Sequence, residues 1–263
     1  MERTNPFAGL YEPIPDVNAY LDRIEVKKEE PSPAFLSKIM WGHLSHIPFE
    51  DLEVYEDKRT PSLNTADLFD KLVTRKRGGY CFEQNGLLVK ALAALGFDAF
   101  CVGVRITYGA PFLMPIRHRG IVVTLEGKRY YVDVGFGGPS PVSPVLIDEK
   151  EGWQQSGERQ YRAEVKDGEV FIYARTKDFE GILFRFDDKA ADEVDFTSWN
   201  LSTSVPGSHF ADMRILNLYT ENGYRKIDGN VYEEKNGDEV IKTELKTSEE
   251  IAACLKDKFG VVK

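Results

Sequence analysis

Residues 75–97 read RKRGGYCFEQNGLLVKALAALGF. A basic cluster and two glycines lead into a single cysteine, Cys81. The apolar run NGLLVKALAALG follows, and its composition and closing Gly96 mark a helix with a C-terminal glycine. The cysteine therefore stands where a helix begins. A thiol attacks carbonyl carbon as the thiolate, and a free thiol's pKa of ~8.5 falls beside positive charge or at a helix N-terminus. Gly78 and Gly79 would permit a tight turn and leave open space before the sulfur. A buried cysteine following an ordinary glycine turn satisfies the same pattern, so this stretch alone leaves both readings open.

To the N-terminal side, residues from about 15 to 95 read as helical. VNAYLDRIEV carries apolar residues at helical spacing, and SPAFLSKIMWGHLSHI opens with the Ser-Pro pair of a helix start. TADLFDKLVTRK places Thr65 as an N-cap and basic residues in its last turn. After Gly96 the pattern becomes β-rich. DAFCVGVRITYG, RGIVVTLEGKRYYVDVGFG, RQYRAEVKDGEVFIYARTK and GILFRFD read as strands, with EGK and DGE as hairpin turns, closing as a barrel or packing as a sandwich. From about 197 the chain is mixed. FTSWNLSTSVPGSHFADMRILNLY bridges to the strands of GYRKIDGNVYEEKNGDEVIKTEL, and TSEEIAACLKDKFG is a helix with a capping box from Thr247 to Glu250. The fold class is α+β.

The 263 residues carry a net charge of −9 and are 42% hydrophobic, enough for a core in one large domain or in two to three lobes. No apolar run approaches the length of a membrane span. The polar, proline-rich start MERTNPFAGLYEPIPDV is not read as a signal peptide. The acidic balance argues against nucleic-acid binding. Three cysteines without a CxxC pair are no disulfide framework and point to a reducing cytoplasm, while their number and spacing exclude a four-ligand zinc finger. Cys101, in a strand, and Cys254, in a helix, are read as small buried hydrophobes.

A nucleophilic thiol needs a base, and the base needs an orienting group. The chain offers His43, His46, His118 and His209. The first two end a helix in WGHLSHIPFEDL and suit packing or capping; His209 lies in the loop VPGSHF. His118 opens the strand HRGIVVTL, which turns at Glu126-Gly127 and returns as KRYYVDVGFG. That turn sets Leu125 against Lys128 and Gly120 against Asp133, leaving His118 diagonal to Asp133 on one side of the pair, ~7–8 Å away at the backbone. A carboxylate amid YYVDVGF must find a partner. An imidazole N–H and the backbone amides at a strand end both qualify, and spacing does not separate them.

RGGYCFEQN, HRGIVV and YYVDVGFGG together resemble the arylamine N-acetyltransferase family. HLSHIPFEDLEVY, STSVPGSHF and YRKIDGN extend the resemblance in order over almost the whole chain. It implies three lobes: a helical bundle over 1–95 carrying the nucleophile, a β-barrel over 96–198 carrying histidine and aspartate, and an α/β lid over 199–263. It implies a papain-like triad of Cys81, His118 and Asp133. Acetyl-CoA would be co-substrate, with an arylamine or hydrazine accepting the acetyl group by a ping-pong route in xenobiotic metabolism. Arg77 would pair with Glu50, and Asn85 would hold Asp133. Phe136 and Phe82 are candidate walls for a flat ring. Gly137 and Gly138 would let substrate or the pantetheine arm pass near backbone, and Arg117 with Ser204 to Ser208 would meet the CoA phosphates. The implied partners are small molecules, with no nucleic acid, membrane or metal, for a monomer or weak homodimer. The same three side chains would also serve a hydrolase using water, a transglutaminase-like enzyme using lysine, an amide synthase or a zinc site; a binding protein could have kept the fold.

Overall fold

The computed structural model describes residues 5–110, 112–148 and 152–262. Its helical part contains α1 (Val17–Arg23), α2 (Pro33–His46), α3 (Leu52–Tyr55), α4 (Thr65–Phe69) and α5 (Cys81–Ala94), with α4 running on into a wider π-helical turn over Asp70–Thr74. The Ser32 hydroxyl accepts the Phe35 N–H with Pro33 as first helical residue, as the Ser-Pro pair predicts. Thr65 departs from expectation. Asn64 occupies the N-cap position without a side-chain bond, and the Thr65 hydroxyl donates instead to the Glu12 carbonyl at 2.9 Å, because the N-terminal loop crosses this helix start.

A two-residue strand, β1 (Phe49–Glu50), precedes α3; the larger sheet then begins with β2 (Asp98–Ile106), β3 (His118–Leu125) and β4 (Lys128–Val132). It continues through β5 (Val145–Leu146), β6 (Gln154–Ser156), β7 (Arg159–Lys166), β8 (Glu169–Arg175) and β9 (Glu180–Asp187). The antiparallel order is β5-β4-β3-β2-β9-β8-β7-β6. Both expected hairpin turns form, with φ of 52° and 75° at Glu126-Gly127 and 53° and 81° at Asp167-Gly168, the left-handed pair that a two-residue hairpin demands. The sheet edges β5 and β6 meet through the Gln154 amide, which accepts the Leu146 N–H at 2.7 Å and donates to the Leu146 carbonyl at 2.8 Å. The sheet is thereby a nearly closed barrel.

Alternation along β3 and β4 divides two cores. Val122 and Tyr131 join Val104, Ile172 and Phe184 inside the barrel. Ile121, Val123 and Val132 face the other way, into the core shared with α2 and α5.

The stretch that the sequence leaves as a bridge forms α6 (Asp195–Ser204) and α7 (His209–Asp212). Residue 199 lies inside α6, whose Phe196 is packed in the helical core. Strands β10 (Ile215–Thr220), β11 (Gly223–Asp228), β12 (Val231–Asn236) and β13 (Glu239–Glu244) follow, and α8 (Ser248–Phe259) closes the lid with the expected Thr247–Glu250 capping box. The second sheet runs β1-β10-β11-β12-β13, so Glu50 sits opposite Leu216 and the lid is tied to the helical lobe. The helical bundle, barrel and α/β lid that the resemblance implies are present in that order. No helix among the described residues is long and apolar enough to cross a membrane.

Buried charge anchors the start of α5. Lys71 Nζ lies 2.9 Å from Glu53 and 2.6 Å from Glu83, and Glu83 accepts the Tyr80 N–H at 3.0 Å. Burial pushes the Glu83 carboxyl up to about 7, against the pull of Lys71. Removing one partner of a buried pair costs about 3–5 kcal/mol. We therefore expect Lys71→Met to lose about that much stability at pH 7 in urea denaturation. The loss should be smaller at pH 5, where the folded state of the variant holds a proton on Glu83 and gains stability as pH falls.

Candidate active site

Cys81 is the first residue of α5 and is buried. The glycines before it serve contact more than open space. The Gly79 N–H donates to the Pro48 carbonyl and the Glu50 N–H to the Gly79 carbonyl, so this turn lies against β1. A Cβ on Gly78 would stand 2.0 Å from the Pro48 carbonyl oxygen. Lys76, with φ of 53°, carries the left-handed backbone conformation of the turn. Arg77 pairs with the buried Glu50 at 2.7 Å, the ion pair that the resemblance implies.

His118 opens β3, and the register sets Leu125 against Lys128 and Ile121 against Val132. His118 Nε2 donates to Asp133 Oδ2 at 2.6 Å, and both side chains are buried. Asp133 takes both partners that its sequence context allows, since the Gly135 N–H also donates to Oδ1 at 2.9 Å. Asn85 Nδ2 donates to the same Oδ1 at 2.9 Å and to the Arg119 carbonyl at 2.5 Å, while its own carbonyl accepts the Val134 N–H at 3.0 Å. Asn85 lies one helical turn after Cys81, so α5 presents thiol and amide on one face. The Tyr131 hydroxyl adds a fourth bond, to Oδ2 at 2.9 Å. Sequence reading missed Tyr131, although two-residue alternation back from Asp133, the residue after β4, places both on one side of the chain.

The Cys81 thiol donates weakly to the Arg117 carbonyl at 3.8 Å and lies close enough to His118 to favour its protonated form. Burial disfavours the imidazolium, but the charge and hydrogen bond of Asp133, helped by Cys81, outweigh it and push His118 up to about 10. Burial likewise opposes the Asp133 carboxylate, yet His118, Asn85 and Gly135 hold it below the usual carboxylate range. Both shifts favour an imidazolium against a carboxylate.

The remaining candidates separate. Phe136 packs edge-on to His118 at 5.8 Å and to Phe184 at 4.8 Å, while Phe184 stacks on His118 at 5.3 Å. Phe82 is fully buried and packs against Tyr80 and Phe196 in the helical core. Gly137 has φ of 72°, and a Cβ there would meet the Phe49 ring at 2.8 Å; the Gly138 carbonyl accepts from Tyr219 at 3.0 Å. Arg117 and Ser208 border a cavity of about 210 Å³ with Ile106, Tyr108, Met114, His209 and Phe210. Ser204 lies elsewhere, its hydroxyl bonded to Thr60 at 2.7 Å and to the Asn200 carbonyl at 3.1 Å. His43 is a packed core residue between Tyr20 and Gln84, each at 2.9 Å. Among the described residues no group of three or more His, Cys, Asp or Glu side chains is placed to hold a metal ion.

Gly135 holds the two lobes together at this point, because a Cβ there would lie 2.6 Å from Cys81 Cα. Gly135→Ala should cost about 1–3 kcal/mol of stability through overpacking. Iodoacetamide at pH 6 should alkylate Cys81 of the unaltered protein faster than free cysteine, and thermal denaturation alongside alkylation of the alanine variant should show both stability and this excess reactivity reduced.

Comparison with known proteins gives a consistent answer. A family model described as N-acetyltransferase matches residues 34–262. The arylamine N-acetyltransferase of Mycobacterium tuberculosis is 31% identical over 255 residues, covering 94% of this chain and 89% of that protein. The structure of arylamine N-acetyltransferase from M. tuberculosis superposes with a TM-score of 0.85 at 30% identity, over 93% of each chain. That of Mycobacterium marinum arylamine N-acetyltransferase in complex with CoA gives 0.84 at 29% identity, over 93% of this chain and 92% of that one. With a match over most of its length and the same arrangement of lobes, the chain belongs to the arylamine N-acetyltransferase family.

Proposed function

We propose that this enzyme moves an acetyl group from acetyl-CoA to the nitrogen of an arylamine or arylhydrazine by a ping-pong route through acetyl-Cys81. The observation that carries this reading is the buried His118–Asp133 bond of 2.6 Å beside a thiol at the first residue of a 14-residue helix. The M. marinum relative solved with CoA supports the choice of donor.

In the first half-reaction His118 holds the thiol proton and the Cys81 thiolate attacks the thioester carbonyl. The carbon–sulfur bond to CoA breaks, and the imidazolium returns its proton to the departing CoA sulfur. Asp133 fixes the ring so that the nitrogen other than Nε2 faces the sulfur, and it stabilises the imidazolium. The positive end of the α5 dipole stabilises charge developing on the carbonyl oxygen. In the second half the amine nitrogen attacks acetyl-Cys81, His118 accepts the nitrogen's proton, and the thiolate leaves. A thioester intermediate keeps most of the donor's reactivity, so amide formation runs downhill. An aromatic amine is neutral at pH 7 and reacts without first losing a proton, which a lysine ammonium cannot do.

In this reading the cavity bordered by Arg117, Ser208 and Phe210 takes the flat ring, and Phe136 packs edge-on to His118. In this reading Arg117 meets donor phosphate. The partners are small molecules, the chain acts as a monomer or weak homodimer, and the compartment is a reducing cytoplasm, for which its three free cysteines speak.

Intact mass after exposure to acetyl-CoA alone should rise by one acetyl group, and the rise should vanish in Cys81→Ala. His118→Ala and Asp133→Ala should remain folded but acylate about a hundredfold or more slowly. Steady CoA release should require an aromatic amine or hydrazine. Equal release without amine would make the enzyme a hydrolase, and near-normal turnover in Asp133→Ala would remove the orienting role.

A further inference from the structure

The two oxygens of Asp133 are loaded in different ways. Oδ1 takes an amide side chain and a backbone N–H, from Asn85 and Gly135. Oδ2 takes His118 Nε2 at 2.6 Å and the Tyr131 hydroxyl at 2.9 Å. The second pair therefore divides one oxygen between an imidazole and a phenol. The Tyr131 ring is fully buried and held by Phe184 and Phe186, with centroids 5.6 and 5.3 Å away. It lies over Gly120, where a Cβ would come within 2.9 Å of the phenol oxygen. Continuing the register past Ile121 and Val132 sets Gly120 opposite Asp133. The missing side chain of Gly120 is what lets the hydroxyl reach the carboxylate.

We infer that Tyr131 is a positioning residue that shares Asp133 Oδ2 with His118 and so limits how tightly the imidazole holds the proton it exchanges during acyl transfer. The inference rests on the acyl-transfer reading above. Two donors on one oxygen compete, and each bond is weaker than it would be alone. The positive end of the O–H dipole also stabilises the carboxylate, which leaves less of its charge to favour a second proton on the ring. The second half-reaction needs His118 neutral to accept the amine proton, so a ring that grips its proton too firmly works only at higher pH. Tyr131 stays a donor throughout, because burial and then the Asp133 charge raise its own pKa well above the ordinary phenol value. The other titratable groups facing this carboxylate are the Cys81 thiol on α5, His118 on β3 and, farther off, the Tyr161 phenol on β7, whose hydroxyl is engaged with the Pro139 carbonyl at 2.7 Å.

Tyr131→Phe removes the hydroxyl and little else. Three readouts on the full chain test the inference: intact mass after acetyl-CoA, the low-field proton resonance of the His118–Asp133 bond, and the pH profile of amine-dependent deacetylation of the acetylated enzyme. The variant should still take one acetyl group. Its resonance should move downfield as the His118 bond strengthens, and the acid limb of the profile should move up by about half to one pH unit, several-fold slower along the limb and little changed on the plateau above it. A hydroxyl that only fills space would lower stability without moving either signal; an unmoved resonance and limb, or a limb moved downward, overturns the inference. If the phenylalanine variant fails to fold, 3-fluorotyrosine placed at position 131 is a stronger donor of nearly the same size. It should move the limb down and the resonance upfield, and no movement again overturns the inference. An unaltered protein that takes no acetyl group defeats the acyl-transfer reading, while the proton resonance still decides what Tyr131 does to His118.

Discussion

A carboxylate withdrawn from water carries a desolvation cost of several kcal/mol unless nearly every lone pair finds a donor. Asp133 meets that condition with four bonds drawn from three elements: Asn85 on α5, His118 on β3, and Tyr131 with Gly135 on β4 and the turn after it. Each donor must arrive for the charge to be tolerable, so folding of the helical lobe against the barrel and assembly of the site are one event. The same satisfied charge then favours the proton on His118. Stability and chemistry here draw on a single group.

Around it, α5 acts as the organising helix. Its first residue brings the thiol, its fifth the amide that grips Asp133, and its first turn is fixed from below by Lys71, Glu83 and the Arg77–Glu50 pair. Glu50 also belongs to β1, which pairs with β10, so the lid sheet and the loop before Cys81 share one short strand. The three lobes thus converge on the stretch from Pro48 to Cys81.

Much of this was legible in the residues because it depends on local rules. The Glu126-Gly127 turn determined the β3–β4 register, and the register placed His118 beside Asp133. The helix starting at Cys81 followed from glycines, an apolar run and Gly96. What sequence missed depends on direction or distant packing. Phe82 adjoins Cys81 in the chain but is turned by about 100° around the helix, into the core. Gly78 looks like a provider of space, yet the neighbour it admits is the Pro48 carbonyl from another segment. Thr65 has the chemistry of a cap but meets Glu12, which its own helix does not announce. Helices α6 and α7 lack a clear apolar period, and Ser204 is consumed by bonds to Thr60 and Asn200 that only the tertiary fold creates.

Strand β3 faces two interiors at once, Ile121 and Val123 toward the helices and Val122 into the barrel. It is a party wall. Such a strand has no solvent side on which mutations can accumulate harmlessly, and neither of its faces can be repacked without a hydrophobic partner on its own side. Modularity ends there: the helical and barrel lobes cannot be exchanged between distant proteins as separate parts, since either one taken alone would carry a bare apolar surface where the other had been.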